Sequence, residues 1–178
     1  MRVLATHEPG GTPLGDQLRE LVLLRDDLDV TPRSEALLMN AARAQQVDQV
    51  IAPALTRGEV VVCDRFAAST LAYQGAGRGL DRQALAAVIS FATAGLRPDM
   101  TILLDLPVEV GLARKHAREG WNRFEAEAVA FHERVREAYR ALARNEPHEW
   151  LCFDAARAPE VVSDDIWRCV APRLALAS

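Results

Sequence analysis

Lysine is almost absent from this 178-residue sequence: arginine supplies 20 of its 21 basic residues, and the single lysine is Lys115. Lys115 follows Ala-Arg rather than glycine, which excludes the lysine-containing loop G-x-x-x-x-G-K-[ST] that cradles nucleotide phosphates. A formal net charge of −4 argues against a broad nucleic-acid-binding surface. Any anion that the protein binds is therefore expected to be held by a local group of arginines.

Cysteine and long hydrophobic runs are also scarce. The three cysteines, Cys63, Cys152 and Cys169, are isolated from one another, so buried free thiols are expected rather than a metal or redox site. No apolar run is long enough to cross a bilayer, and the first residues do not resemble a signal peptide. Hydrophobic residues make up 49% of the chain, which is typical of a globular protein. The sequence therefore predicts one cytoplasmic domain over residues 1–178, with neither nucleic acid nor membrane as a partner.

Short apolar runs alternate along the chain with longer stretches of helical periodicity. The apolar, β-branched runs predict strands at Arg2–Thr6, Val60–Cys63, Thr101–Leu106 and Glu149–Phe153. The other stretches predict helices at Pro13–Leu24, Arg33–Arg57, Asp81–Ala94, Pro107–Arg118, Arg123–Arg144 and Pro159–Leu174. This alternation is typical of an α/β fold, in which a parallel sheet with strands buried on both faces is flanked by helices on both sides. Ligands of such folds bind beyond the carboxyl ends of the strands.

Charged residues follow two of the predicted strands directly. Asp64 and Arg65 come at the end of VVVCDR, and Asp105 comes at the end of ILLD. An arginine at the carboxyl edge of a sheet can hold a phosphate, while the neighbouring aspartate orients that arginine or a magnesium-bound water. A structural ion pair at the rim of the sheet is the alternative interpretation of the same residues.

The stretch after Arg65 carries groups suited to recognising a base or a sugar. Hydroxyl, phenol and amide side chains are supplied by Ser69, Thr70, Tyr73 and Gln74. A loop with three glycines around Arg78 follows, and these glycines would let the backbone pass close to a ligand. A plain surface loop would explain the glycines equally well.

Two predicted helices carry basic residues that suit a nucleotide. One helix places Met39, Arg43 and Gln46 on one face, where Arg43 either covers a planar ring or extends to water along an apolar surface. The second basic group lies around Gly120, and it predicts either a solvated helix end or a mobile lid that closes on transferred phosphates. That group consists of Arg114, Lys115, His116, Arg118 and Arg123.

Taken together and in this order, these motifs resemble the thymidylate kinase family, which phosphorylates dTMP to dTDP using ATP. The matching stretches cover nearly all of residues 3–166. They read HEPGGTPLG, EALLMNAARAQQV, VVVCDRFAASTLAYQGAGRG, LRPDMTILLDLPVEVGLAR, NRFEAEAVAFHERVREAY and, near the end, FDA. The resemblance implies a P-loop nucleoside monophosphate kinase-like fold, dTMP and ATP as the bound nucleotides, Mg²⁺ as cofactor and a homodimer.

The resemblance also implies roles for the residues that bind dTMP. Arg65 would bind the dTMP phosphate, and Glu8 of the Glu-Pro-Gly-Gly turn would lie beside the same site. Arg43 would contact the base and phosphate side of the nucleotide, and Met39 stands where many members stack a phenylalanine on thymine. The residues implied in selecting thymine and the deoxyribose are Ser69, Thr70, Tyr73 and Gln74.

For the chemistry, the resemblance implies in-line phosphoryl transfer, in which positioning and charge neutralisation do most of the catalysis. Asp64 would act beside Arg65 and organise Mg²⁺ indirectly, through water. A lid over residues 114–123 would supply a catalytic arginine, for which the candidates are Arg114, Arg118 and Arg123. These arginines would neutralise the charge that develops on the transferred phosphoryl group.

Three departures from the family pattern qualify these expectations. His7 stands where members usually have arginine, and Met39 replaces the stacking phenylalanine. The third departure is the missing G-x-x-x-x-G-K-[ST] loop, which in the family precedes the Glu-Pro-Gly-Gly turn. We therefore expect the first strand, phosphate loop and first helix, roughly 30 residues, to be lacking, and this 178-residue chain to be inactive. The lost strand is also expected to expose apolar edges of its neighbours.

Two other functions stay open at this point. One is a kinase-like module that binds a nucleotide or a partner without catalysis, which the missing phosphate loop favours. The other is kinase activity on a different nucleoside monophosphate, which Met39 in place of an aromatic residue favours.

Overall fold

The computed structural model of the protein describes residues 1–25, 27–117 and 122–176. Strands form where the sequence predicts them, each within one residue of the expected bounds. They are β1 (Val3–His7), β2 (Val60–Asp64), β3 (Thr101–Asp105) and β4 (Trp150–Asp154). Together with the helices between them, these strands give the α/β class that the alternation predicts.

The helices connect and flank the strands. The α-helices are α1 (Pro13–Leu23), α2 (Pro32–Gln46), α3 (Ala52–Thr56), α4 (Ala67–Thr70), α5 (Arg82–Thr93), α6 (Val108–His116), α7 (Val129–Asn145) and α8 (Pro159–Leu176). Two π-helical segments are π1 (Val47–Ile51) and π2 (Leu71–Gly77). Thr12 and Thr31 begin α1 and α2 by accepting a hydrogen bond from a backbone N–H three residues on, and proline occupies the next position in each.

The strands pair in parallel, as expected, but as two separate pairs in the described part of the chain. In one pair Val3 aligns with Val60 and His7 with Asp64, and in the other β3 aligns with β4. The hydrogen bonding between β1 and β2 continues past the end of β1, where the Glu8 N–H donates to the Asp64 carbonyl oxygen at 2.9 Å. The carboxyl ends of β1 and β2 therefore meet at one edge.

The prediction that the strands are buried on both faces is wrong. Burial alternates along β1, and Val3 and Val62 are 57% and 56% exposed, as are Ile102 and Leu104 of β3 at 39% and 50%. Alternation of this kind means that neighbouring helices cover only one face of the β1–β2 pair.

Two helix predictions need correction. The helix expected over Arg33–Arg57 ends its regular α-helical part at Gln46 and continues as π1 and α3. The helix expected from Arg123 begins instead at Val129, because side chains hold the preceding residues in turns. There the Phe124 N–H donates to the Asn122 side chain at 2.9 Å.

The glycine loop expected after Gln74 is mostly the helical segment π2. Gly77 is buried there, and a Cβ atom added to it would lie 2.5 Å from the Phe131 ring of α7. Phe131 forms a buried apolar cluster with Ala72 of π2 and Val135 of α7. Packing against α7 therefore explains why this glycine-rich stretch is helical rather than a surface loop.

The cysteines are free thiols, as predicted, but they are not all buried. Cys63 is partly buried, whereas Cys152 and Cys169 are exposed. Cys152 lies on a strand whose residues alternate in burial, which the apolar run around it did not indicate. Within the described ranges, no helix combines the length and the apolar character needed to span a membrane.

Candidate functional site

A cavity opens beyond the carboxyl ends of β1 and β2, where the parallel pairing predicts ligands to bind. Its walls come from the turn after β1, from α1 and α2, from the segment β2–π2 and from residues that precede α7. The lining residues are Glu8, Pro9, Arg19, Leu23, Met39, Arg43, Arg65, Ser69, Thr70, Tyr73, Gln74, Lys115, Asn122, Phe124 and Glu125. The space between these side chains is about 820 Å³ when the part that is open to solvent is included.

The turn after β1 is held against α2. Gly11 has φ +76°, and a Cβ atom there would collide with the amide of Gln46, so the turn requires glycine. The Gln46 Nε2 donates to Thr6 Oγ1 at 2.7 Å and to the His7 carbonyl oxygen at 2.8 Å. This buried amide fixes the end of β1. It therefore also fixes the position of Glu8, which directly follows His7.

Arg43 lies at the floor of the cavity and is almost completely buried. Its Nε donates to Glu8 Oε2 at 2.8 Å, and its Nη1 donates to Asn40 Oδ1 at 2.7 Å and to Thr70 Oγ1 at 3.0 Å. Its Nη2 donates to the Phe66 carbonyl oxygen at 3.2 Å. A guanidinium has five N–H groups, so these four bonds leave one N–H for a ligand.

The Glu8 carboxylate balances this buried arginine. Burial raises the pKa of the Glu8 carboxyl above its ordinary value, and the charge and hydrogen bond of Arg43 oppose that rise. The other carboxylate oxygen, Oε1, is buried and has no hydrogen-bond partner among the described residues. An acceptor of this kind in a cavity wall is suited to a donor group on a ligand, such as a hydroxyl.

Two other arginines carry positive charge to the cavity without a carboxylate partner in the described ranges. Arg65 has φ +68°, an unfavourable backbone conformation for a residue other than glycine, and its guanidinium lies 5.0 Å from the centre of the Tyr73 ring. Arg19 of α1 donates one hydrogen bond from Nη1, to the Pro9 carbonyl oxygen at 3.0 Å. Two guanidiniums of this kind make one part of the cavity suited to a dianion such as a phosphate monoester.

An aromatic wall lies beside these arginines. The Tyr73 ring packs edge to face on Phe124, Phe131 and Tyr139, with ring centres 5.1 to 6.4 Å apart. Ser69 and Tyr139 share a hydrogen bond of 2.7 Å between their hydroxyls. This packing fixes the orientation of Tyr73 at the cavity before any ligand arrives.

The cavity brings together eight of the residues predicted from the sequence to bind substrate. They are Glu8, Met39, Arg43, Arg65, Ser69, Thr70, Tyr73 and Gln74. They come from three separate stretches of chain, which the parallel pairing of β1 with β2 and the packing of α2 on π2 place side by side.

Three of the proposed catalytic residues, Asp64, Arg114 and Arg123, do not line the cavity. Asp64 is exposed at the end of β2, and its carboxylate has no hydrogen bond or ion pair with the described residues. Arg114 is exposed and donates to the carbonyl oxygens of Ala155 and Ala156 at 2.6 and 3.2 Å. Arg118 falls outside the residues that the structure describes.

Arg123 lies behind the cavity wall. Its Nη2 donates to the Val30 carbonyl oxygen at 2.9 Å and lies 4.0 Å from Glu35 Oε2. Its Nη1 is buried without a hydrogen-bond partner in the described part of the chain. In this arrangement Arg123 ties the segment before α7 to α2 and does not reach the cavity.

Several residues of the cavity wall were not predicted from the sequence. Arg19 is the most important, and its signal was an arginine in the helix that directly follows the glycine turn. Lys115 was noted only as part of the basic group, and it pairs with Glu125 at 3.9 Å across the mouth of the cavity. Asn122 and Phe124 belong to the stretch NRFEAEAVAFHERVREAY, but no role was predicted for them, because they reach the cavity through a turn rather than through a regular helix.

The described residues contain no group of three or more His, Cys, Asp or Glu side chains that could hold a metal ion by itself. The carboxylate of Asp64 does suit Mg²⁺, which prefers oxygen ligands and commonly binds through one carboxylate together with waters and substrate phosphates. The donor set therefore fits an ion that arrives with a nucleotide.

Comparisons with known proteins agree on one family. The model of the thymidylate kinase family matches residues 1–166. The thymidylate kinase of Thermomicrobium roseum is 53% identical over 169 residues, which cover 94% of this chain and 80% of the relative. That of Pseudomonas putida GB-1 is 52% identical, covering 92% and 78%. That of Thermosynechococcus vestitus is 51% identical, covering 97% and 71%.

Proposed function

The chain belongs to the thymidylate kinase family, and on that premise we propose that its cavity is the site where dTMP accepts a phosphoryl group. The family reaction transfers the γ-phosphoryl group of ATP to dTMP. An oxygen of the dTMP phosphate attacks the γ-phosphorus, the bond from that phosphorus to the bridging oxygen of ADP breaks, and dTDP and ADP leave. We place the reaction in the cytoplasm, and we treat residues 1–178 as one domain with a lid over residues 114–123.

One observation carries the assignment of the base: Arg43 has one N–H left and Gln74 has a carbonyl oxygen left, both at the cavity. Gln74 donates through Nε2 to Glu35 at 2.8 Å, and its Oε1 accepts no hydrogen bond from the described residues. Thymine presents a carbonyl oxygen next to an N–H group, and so it needs a donor beside an acceptor. Arg43 and Gln74 supply that pair.

At the other end of the nucleotide, Arg65 and Arg19 would hold the phosphate. Neither guanidinium forms an ion pair with a carboxylate of the described residues, although the charge of Asp64 acts on Arg65, so both arginines can meet a dianion. Met39 of α2 would pack on the face of the base. A thioether packs on a ring more weakly than an aromatic side chain does, so we expect looser selection against uracil than a stacked phenylalanine would give.

Catalysis in this proposal depends on positioning and charge. Arg65 would orient the attacking phosphate oxygen, and Asp64 would hold Mg²⁺ through water. The ion, when bound with ATP, neutralises charge on the phosphates. A lid arginine among Arg114, Arg118 and Arg123 would approach the transferred group on closure. Closure would require Arg114 to leave the backbone carbonyl oxygens that it now contacts.

A second candidate function, nucleotide binding without catalysis, is favoured by one observation. The 178-residue sequence contains no G-x-x-x-x-G-K-[ST] loop, whose N–H groups and lysine hold the β- and γ-phosphates of ATP. For this polypeptide we therefore expect dTMP binding and no detectable dTMP-dependent formation of ADP. Measurable turnover would mean that other residues hold the ATP phosphates.

Calorimetric titration of the 178-residue polypeptide with dTMP and with thymidine tests the proposed site. We expect Arg65→Gln to weaken dTMP binding by about 10-fold or more and to leave thymidine binding nearly unchanged, because only dTMP carries the charge that Arg65 meets. Arg168→Gln, an exposed arginine of α8 that pairs with Asp165, is the matched control. A wild-type chain that does not bind dTMP, or an equal loss for both ligands, would refute the site.

A further inference from the structure

Glu35 is completely buried in α2, yet it does not line the cavity. It lies one helical turn before Met39. Burying a carboxylate is costly unless its oxygens are well satisfied by hydrogen bonds or charge. The partners of Glu35 therefore indicate what this buried charge does.

The carboxylate of Glu35 has three partner residues from two segments, π2 with its last cap residue and the turn before α7. Its Oε1 accepts from Gln74 Nε2 at 2.8 Å and from Arg78 Nε at 3.4 Å. Its Oε2 accepts from Arg78 Nη2 at 3.2 Å and lies 4.0 Å from Arg123 Nη2. Two guanidiniums thus balance its charge, and its shortest bond goes to the amide of Gln74.

This bond determines which way the Gln74 amide points. An amide can present either its NH₂ group or its carbonyl oxygen to a neighbour, but an ionised carboxylate only accepts hydrogen bonds. Gln74 must therefore direct NH₂ toward Glu35, which leaves Oε1 for the opposite side. Because Gln74 lines the cavity, the site gains an acceptor there rather than a donor.

An ion pair with Arg78 alone does not account for Glu35. Arg78 has a second carboxylate partner, Glu127, at 2.5 Å from its Nη1. The Arg78 guanidinium also lies 4.9 Å from the centre of the Phe131 ring. Arg78 therefore keeps two other partners, Glu127 and the Phe131 ring, if Glu35 is removed. Gln74 Nε2, by contrast, has Glu35 as its one hydrogen-bond acceptor in the described part of the chain.

We propose that Glu35 is a positioning residue for pyrimidine selectivity, acting through Gln74. Its carboxylate keeps the Gln74 carbonyl oxygen turned toward the cavity, where it accepts the ring N–H of thymine. Cytosine has an unprotonated ring nitrogen at that position and an amino group beside it, so the same acceptor disfavours dCMP. This inference rests on the proposed function, because it assigns the base end of the same site.

The variant Glu35→Gln tests the proposal, because glutamine can donate as well as accept and so no longer fixes the Gln74 amide. We expect the ratio of the dCMP to the dTMP dissociation constant, measured by calorimetry, to fall about 10-fold or more. The remaining N–H of Arg43 still favours a base carbonyl, so discrimination falls without vanishing. Glu127→Gln is the matched control, since it removes the other carboxylate on Arg78 without touching Gln74, and its ratio should stay within about 2-fold of wild type.

Each outcome of this experiment decides something. A ratio that is unchanged in Glu35→Gln overturns the proposal, and so does an equal fall in Glu127→Gln, which would point to general loosening around Arg78. If Glu35→Gln does not fold, Glu35→Asp decides, because it keeps the charge beside Arg78 but draws the carboxylate away from Gln74 Nε2. An unchanged ratio in that variant overturns the proposal, and a lowered ratio supports it. A wild-type chain that fails to bind dTMP refutes the proposed function itself, which is a different result from a wild type that binds dTMP and a variant that keeps its selectivity.

Discussion

Two aspartates that look alike in the sequence have different surroundings in the structure. Asp64 and Asp105 each end a short apolar strand. Asp105 accepts two hydrogen bonds from Arg136 of α7, at 2.7 and 3.1 Å, whereas Asp64 is exposed and has no partner among the described residues. The partner of Asp105 lies 31 residues further along the chain, so no local pattern distinguished the structural carboxylate from the available one.

The pair of Asp105 and Arg136 gives a pH-dependent prediction. The hydrogen bond from Arg136 lowers the pKa of the Asp105 carboxyl, so the ionised form stabilises the fold. That stabilisation is present above the ordinary aspartate pKa of about 4 and is lost as the pH falls through the lowered value. We expect Asp105→Asn to reduce the free energy of unfolding in urea by about 1 kcal/mol at pH 7 and by less below about pH 3.

Glu137, a surface carboxylate on α7 next to Arg136, serves as the control. Glu137 is 57% exposed and pairs with Arg144 within α7, so Glu137→Gln should leave the free energy of unfolding nearly unchanged. Equal losses for Asp105→Asn and Glu137→Gln, or a loss for Asp105→Asn that does not shrink in acid, would contradict the assigned role.

At the scale of elements, π2 is where tertiary packing overrides the local sequence. Gly77 is buried against the Phe131 ring, so we expect Gly77→Ala to push α7 away and to reduce the free energy of unfolding by about 1–3 kcal/mol. Because Tyr73 and Gln74 belong to the same segment, dTMP affinity should fall as well. Urea unfolding and calorimetry measure the two effects.

Gly75→Ala is the control for this substitution. A Cβ atom added there would lie 3.4 Å from Leu85 Cδ1 and 3.9 Å from the Thr70 carbonyl oxygen. Both are ordinary van der Waals distances, so stability should change much less. If both alanine variants lose the same stability, helix geometry rather than contact with Phe131 is responsible.

The strands and most helix bounds could be predicted from the sequence because short apolar runs and capping residues are local signals. Thr12-Pro13 and Thr31-Pro32 mark where α1 and α2 begin. The start of α7 at Val129 could not be predicted, because the side chain of Asn122 holds the preceding turn. The helical state of π2 depends on Phe131, more than fifty residues away in the sequence.

The same division applies to the candidate site. Residues that follow β1 and β2, and those spaced along α2, were predicted because each belongs to one short motif. Arg19 and Phe124 were missed because they reach the cavity only through the packing of separate elements. The positions of Arg114 and Arg123 depend on backbone carbonyl oxygens of distant segments, at Ala155 and Val30.

For the whole molecule, we predict a homodimer formed through α2 and α5. These helices pack on each other, and they expose Leu37 at 58% and Phe91 at 89%. Apolar side chains of this size on adjacent helices are typical of an interface between protein subunits. Sedimentation velocity should give the mass of two chains, and Phe91→Ser should shift the distribution toward the monomer.

Trp167→Ser is the control for this prediction, because Trp167 is also exposed, at 61%, but lies on α8. Its sedimentation should match that of the wild type. A wild-type chain that sediments as a monomer over a wide range of concentration would contradict the predicted dimer, as would an equal shift in both variants.

Helix α2 also limits how this protein can tolerate changes in length. Four side chains of α2 have separate partners. Glu35 accepts a hydrogen bond from the amide of Gln74, and Gln46 binds the end of β1. Between them, Met39 and Arg43 line the cavity. At about 100° per residue these four side chains fall within an arc of about 80°. An inserted residue between them would rotate the later ones away from their partners all at once. The wider π-helical turn begins only after Gln46, where one additional residue leaves this alignment intact.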